Sequence, residues 1–224
     1  MRTAIIDTFV APVCREQIEI LFEDEYLLAI NKPSGLLSLS GKNPLNKDSV
    51  HYRLVQQHPE IRLTHRLDFG TSGIMLLAKT KEMNANLTKQ FQARSVIKRY
   101  VSILAGEVLA DEGLIDLPIA KDPLLFPRLK ICHQDGKSAQ SCYEVIERLD
   151  KPVRTRVIFT PLTGRTHQLR IHSQSIGHPM IGCDLYGTAT TQKMAARLLL
   201  HALDFTFDHP QSQQRMTLTC NCSF

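Results

Sequence analysis

What constrains this chain most is a succession of short strand-like runs, each cut off by a turn before a helix could form. Tyr26 to Ile30 is apolar and runs into NKPSG at 31 to 35, where Pro33 fixes φ and Gly35 tolerates a positive φ. Residues 74 to 78, IMLLA, are apolar throughout and of strand length. Tyr100 to Leu104, Ser141 to Ile146, Thr155 to Thr160, Leu199 to Phe207 and Met216 to Thr219 follow as further strands, several with clean alternation. Helical periodicity is scarcer. KEMNANLTKQFQAR places Met83, Leu87 and Phe91 on one stripe, and Gly164 to Gly177 places Leu169, His172 and Ile176 on one side with Gly177 as its stop. Many strands with few helices predict an α+β fold with a mostly antiparallel sheet.

At 224 residues the chain is long enough for one sizeable core, as one large domain or two tightly joined halves. It contains no repeat, low-complexity segment or obvious linker. Residues 1 to 17 read as a short arm and 18 to 224 as a single domain. Asp7 interrupts the only apolar opening, so no signal peptide is expected. Six scattered cysteines then imply reduced thiols in a cytoplasm. Cys220 and Cys222 lack a second pair at zinc-site spacing and are expected as ordinary strand residues. No apolar run approaches the roughly 20 residues of a membrane span, so a soluble protein without a membrane partner is expected.

The formal charge of +5, from 27 Lys and Arg against 22 Asp and Glu, is a mild bias. Its distribution is more informative. Lys79, Lys81, Lys89, Arg94, Lys98 and Arg99 fall in one stretch, and Arg154, Arg156, Arg165 and Arg170 in another. A solvated face and a polyanion site are the two readings.

Several familiar sites are ruled out by spacing. GTSG at 70 to 73 is followed by Ile74, where a nucleophile elbow needs glycine. GKS at 136 to 138 has no glycine five residues ahead, so it is no P-loop. His167 and His172, five apart, would lie about 140° around a helix and could not share a metal. No metal or nucleotide site is expected.

Two segments remain: THRLDFGTSGIM at 64 to 75, carrying Arg66 and Asp68, and GRTHQLR at 164 to 170. Taken alone, Asp68 reads as a turn carboxylate accepting backbone N–H groups, and Arg170 as a helix-surface cation. Their contexts say more. HRLDFGTSG at 65 to 73 resembles the HRLDxxTSG signature of the RluA-type pseudouridine synthases. The likeness continues in order through NKPSG at 31 to 35, KRY at 98 to 100, GKSAQSCYEV at 136 to 145, TGRTHQLRIH at 163 to 172 and LLLHA at 198 to 202.

That resemblance implies a pseudouridine synthase catalytic domain. It would have a long, mixed, mainly antiparallel sheet in two halves, a central RNA-binding cleft and no added N-terminal S4-type RNA-binding domain. It implies an isomerase that turns specific uridines into pseudouridine in structured RNA. The short chain, the NKPSGLLS opening and the HQLR form look most like the subfamily acting on a large-subunit (23S) rRNA hairpin loop and on the anticodon stem-loop of some tRNAs. Asp68 would be the catalytic aspartate that starts detachment of uracil from its ribose, Arg170 would sit beside it and keep it ionised, and Tyr100 would stack on the target base. Leu169 would be an apolar floor, Arg66 would fill the gap left when the uridine flips out, and Arg165 would be the nearest contact for RNA. No cofactor is implied, and the chain would act as a monomer.

Without the family, Tyr100 and Leu169 are ordinary core residues. One departure from the pattern stands out. Relatives usually read GDxxYG, whereas this chain reads GCDLYG at 182 to 187, with Cys183 in the aspartate's place and Asp184 after it. Two rival readings stay open: a non-catalytic RNA-binding or chaperone module on the same fold, and a base-removing hydrolase. The hydrolase normally wants two carboxylates, and its second could come only from the acidic patch at Glu23, Asp24 and Glu25.

Overall fold

A computed structural model describes residues 9 to 224, so the first eight residues of the expected arm lie outside the described residues. Residues 9 to 18 carry no regular element. The chain forms two compact units. One comprises the residues through Val96 together with Phe207–Leu218, and the other Ile97–Thr206 together with Thr219–Phe224.

The first unit contains β1 (Glu19–Glu23), β2 (Leu27–Lys32), a 3-10 turn at Pro44–Asn46, α1 (Val50–Leu54), β3 (Arg62–Leu63), β4 (Ser72–Ala78) and α2 (Lys81–Ala93). Strand β2 pairs antiparallel with β1 and β4, and β3 pairs with the last residues of β4. Every residue of β4 is buried, which is why residues 74 to 78 are apolar without alternation. The Thr80 hydroxyl caps α2 by accepting from Met83 N–H at 3.2 Å. The helix buries Met83 and Leu87, each contributing about 1.5–3 kcal/mol of burial. Arg94, left-handed at φ 61°, ends it.

The acidic patch is built into this unit. Asp24 Oδ1 accepts from Tyr26 and Leu27 N–H at 2.8 Å each, and Oδ2 meets His209 Nε2 at 2.7 Å. Those partners outweigh the effect of burial and hold the carboxyl below the usual range. Glu23 pairs with Lys79 at 2.6 Å.

The second unit contains β5 (Ile97–Ala105), β6 (Glu112–Asp116), β7 (Ile119–Lys121), β8 (Leu129–Ile131), β9 (Gln140–Asp150), β10 (Val153–Pro161), α3 (Gln168–Ser175), α4 (Ala189–Lys193) and most of β11 (Leu200–Asp208). Its sheet runs in the order β11, β5, β10, β9, β6 with antiparallel neighbours, and β7 and β8 form a separate hairpin. Leu104, Val157, Phe159, Leu169, Ile171 and Leu200 are among its core. The chain passes into the first unit near the end of β11, and β12 (Arg215–Thr219) leads back.

Two expectations need correction. Cys220 and Cys222 follow β12 instead of lying in it. Cys220 N–H still reaches the Leu203 carbonyl at 2.7 Å, but the ladder ends at Thr219. Helix α3 begins at Gln168 and not at Gly164, because His167 is left-handed at φ 56° and the chain turns through Thr166 and His167, closed by Gln168 N–H on the Arg165 carbonyl at 3.1 Å. Among the described residues no helix is long and apolar enough to cross a membrane.

Candidate active site

In the first unit, Asp68 lies in the irregular stretch between β3 and β4. A stretch of that kind has backbone groups that no ladder satisfies, so each needs another partner. The segment following β2 supplies them. Ser38 Oγ donates to the Leu67 carbonyl at 2.8 Å and accepts from Leu67 N–H at 3.1 Å. The Phe69 carbonyl accepts from Gly35 N–H at 2.9 Å and from Lys32 Nζ at 3.3 Å, and the Gly70 carbonyl accepts from Ser34 Oγ at 2.7 Å. Thr71 N–H closes the turn on the Asp68 carbonyl at 3.1 Å. Gly35 makes this approach at φ +76°, a conformation costly for any residue bearing a Cβ.

Lys32 is fully buried. Its ammonium also donates to the Pro33 and Leu36 carbonyls at 2.8 Å each, so that one cation ties the NKPSG turn to the Asp68 loop. Upstream, Thr64 Oγ1 donates to the Leu76 carbonyl at 2.6 Å, and His65 Nε2 accepts from Leu76 N–H at 3.0 Å. Leu67 is buried, Asp68 is half-buried and Arg66 is exposed. The carboxylate thus sits on a backbone fixed on both sides.

The other expected residues lie in the second unit. Tyr100, half-buried in β5, has Ala202 and Phe159 as its ladder partners, and its ring packs against Phe205 at 6.1 Å between centroids. Leu169 is a core residue at 7% exposure. Arg165 is half-buried, its Nε donating to the Ser138 carbonyl at 2.9 Å. Gln168 makes the turn ahead of α3 possible. Its amide oxygen accepts from Thr163 Oγ1 at 2.7 Å and Arg165 N–H at 2.9 Å, while its Nε2 donates to the Gln140 carbonyl and Ser141 Oγ, both at 2.9 Å.

Arg170 is no surface cation. It is 4% exposed, its Nε donates to Cys183 Sγ at 3.4 Å, and its Nη2 donates to Asp184 Oδ1. Its guanidinium stands over the Tyr186 ring at 5.2 Å. A buried arginine needs such partners, and a guanidinium held this way is an oriented, permanently charged donor.

Much of the basic charge is neutralised locally. Lys79 pairs with Glu23, Arg99 with Asp204, Arg156 with Glu147 and Arg170 with Asp184. Lys81, Lys89 and Arg94 are exposed on or beside α2. Lys32 and Ser38 lie within the NKPSGLLS segment that carries the resemblance, but nothing in the sequence assigns either side chain a task.

Residues 26–175 match the model of the RNA pseudouridylate synthase family. A dual-specificity RNA pseudouridine synthase RluA from Vibrio vulnificus (strain CMCP6) is 44% identical over 209 residues, covering 92% of this chain and 84% of the relative. The protein of the same name from Escherichia coli (strain K12) is 41% identical over 205 residues, covering 92% and 93%. The solved structure of human RNA Pseudouridylate Synthase Domain Containing 1 superposes with a TM-score of 0.79 at 26% identity, covering 95% of this chain and 86% of the other.

Proposed function

The chain belongs to the RluA family of RNA pseudouridine synthases, and we propose that it acts on a large-subunit (23S) rRNA hairpin loop and on the anticodon stem-loop of some tRNAs. It is an isomerase that converts uridine to pseudouridine in RNA. The finer assignment is supported by the dual specificity in the names of relatives that align over nine-tenths of this chain.

In this reading residues 18 to 224 work as one catalytic domain, in the cytoplasm and as a monomer. Asp68 is the catalytic carboxylate, attacking the sugar or the base or stabilising charge at the anomeric carbon as the bond to nitrogen breaks. Arg170 is the cation that serves Asp68. Tyr100 stacks on the uracil near the proton that leaves carbon 5, and Leu169 closes the pocket from below. Arg66, exposed two residues before Asp68, fills the stack after the uridine flips out, and Arg165 contacts the RNA.

The observation that carries the reading is the HRLDFGTSG loop itself, because its backbone is bonded to the NKPSGLLS segment on both sides of Asp68, to Ser38 before it and to Lys32 and Ser34 after it. The hydrolase alternative is weakened at two of its three candidate second carboxylates, since Asp24 commits both oxygens to Tyr26, Leu27 and His209, and Glu23 is paired with Lys79.

The test uses rRNA-hairpin and tRNA anticodon stem-loop transcripts carrying tritium at carbon 5 of uridine. Wild type is expected to release tritium from both without added cofactor, strand cleavage or free uracil, and Asp68→Asn from neither. Release from one RNA only narrows the substrate. An Asp68→Asn protein that releases tritium at the wild-type rate overturns the role of Asp68.

A further inference from the structure

We propose that Asp184, acting with Cys183 and Tyr186, is the positioning residue for Arg170, and that it does so from a place in the loop one residue later than the usual aspartate. This rests on the reading of Arg170 as part of the synthase active site.

The loop from Gly182 to Gly187 is fixed in register. Gly182 is at φ +72°, and a Cβ there would sit 1.8 Å from the Arg197 carbonyl oxygen. A Cβ on Gly187 would sit 2.5 Å from the Cys183 carbonyl oxygen. Gly182 N–H donates to the Thr191 carbonyl at 2.9 Å, Cys183 N–H to the Met180 carbonyl at 3.3 Å, and Gly187 N–H to the Cys183 carbonyl at 3.2 Å. The Tyr186 hydroxyl accepts from Leu129 N–H at 2.9 Å and meets His167 Nδ1 at 2.8 Å. With both glycines and the tyrosine anchored, the segment cannot slide to bring Asp184 into the position held by Cys183.

The carboxylate nevertheless reaches the same guanidinium. Cys183, 1% exposed, lies under Nε, and Asp184 takes Nη2 from the solvent side while its own Oδ1 also accepts from Leu185 N–H at 2.8 Å. Tyr186 covers the face. Two edges and one face of Arg170 are therefore occupied by the GCDLYG loop. The Asp184 side chain is 62% exposed, so solvent screens the pair and it adds little to folding, while the direction it gives the buried guanidinium remains.

That division separates positioning from structure. In the tritium-release assay, Asp184→Ala is expected to lower kcat by about tenfold or more through misplacement of Arg170, with KM and the melting temperature nearly unchanged. Cys183→Asp in the Asp184→Ala background puts a carboxylate beside Nε and is expected to restore most of the lost kcat. In 15N-arginine-labelled protein, the Arg170 Nε–H resonance, identified by its loss in Arg170→Lys, is expected to exchange faster with water in Asp184→Ala.

Wild-type kcat in Asp184→Ala overturns the proposal, as does a kcat loss that Cys183→Asp leaves unrestored. A wild type inactive on every RNA overturns the functional reading instead, and the exchange of Arg170 Nε–H then decides the positioning claim alone.

Discussion

Ser38 and Leu67 exchange two hydrogen bonds through a single hydroxyl, which donates to the Leu67 carbonyl at 2.8 Å and accepts from its N–H at 3.1 Å. Both residues are buried, and Leu67 immediately precedes Asp68. Ser38→Ala removes the hydroxyl that satisfies both backbone groups of a buried residue and is expected to cost about 1–3 kcal/mol for each group left unsatisfied. Urea unfolding should show a lower midpoint at unchanged slope. Tritium release should fall further than stability explains, because the displaced backbone carries the carboxylate.

Lys32 offers a second test of the same loop. Lys32→Met keeps the volume but removes the donor shared by the Pro33, Leu36 and Phe69 carbonyls. A loss of about 3 kcal/mol in calorimetric or urea stability is expected, with kcat reduced by about tenfold or more. A stable variant with wild-type kcat would show that the ammonium does not hold the loop.

Gly182→Ala should destabilise through two separate effects. The backbone is left-handed there, and the new Cβ meets the Arg197 carbonyl oxygen at 1.8 Å, a backbone atom that cannot rotate away. About 2 kcal/mol or more is expected, several degrees in the thermal midpoint. Gly164→Ala, where a Cβ meets nothing within 4 Å, is the matched control and should leave the midpoint within a degree or so.

Acid sensitivity follows from two buried imidazoles. Burial pushes His172 and His201 below their ordinary value of 6.5. The Leu117 carbonyl can only accept, so His172 donates through Nε2 at 3.0 Å and accepts at Nδ1 from Ser141 Oγ at 2.9 Å, a neutral ring. The unfolded chain takes these protons first, so stability is fully present above 6.5 and falls as pH drops from there toward the folded values. Thermal midpoints should be flat from about pH 8 to 7 and decline below about 6.5, with a shallower decline in His172→Gln.

The longer elements were legible in the sequence because each contains a run long enough to display a pattern, although β9 continues four residues past the expected Ile146. The apolar run of β4, the alternation of β9 and β10, and the Met83, Leu87, Phe91 stripe of α2 all fall where they were expected. The hairpin of β7 and β8 has three residues per strand, and α1 and α4 have five residues each, too few to display a period. At the site, the resemblance of HRLDFGTSG, KRY and TGRTHQLRIH to a family pattern singled out Asp68, Tyr100 and Arg170, which taken alone read as turn, core and surface residues. Lys32 and Ser38 stood inside the NKPSGLLS motif without a role, because the bonds that tie them to the Asp68 loop reach the Phe69 and Leu67 carbonyls, which are far along the chain and which no local pattern encodes. Cys183 and Asp184 were visible as a departure, but that both face Arg170 is a fact of the folded loop.

The discontinuous make-up of the two units also fixes when each can be finished. Phe207–Leu218, which contributes His209 as the partner of Asp24 and Asp208 as the partner of Gln90, leaves the ribosome only after all of Ile97–Thr206. The second unit waits in turn for Thr219–Phe224, whose Cys220 carbonyl meets His201. A nascent chain halted before Phe207 therefore carries neither unit whole, and final folding is deferred until synthesis has passed both segments.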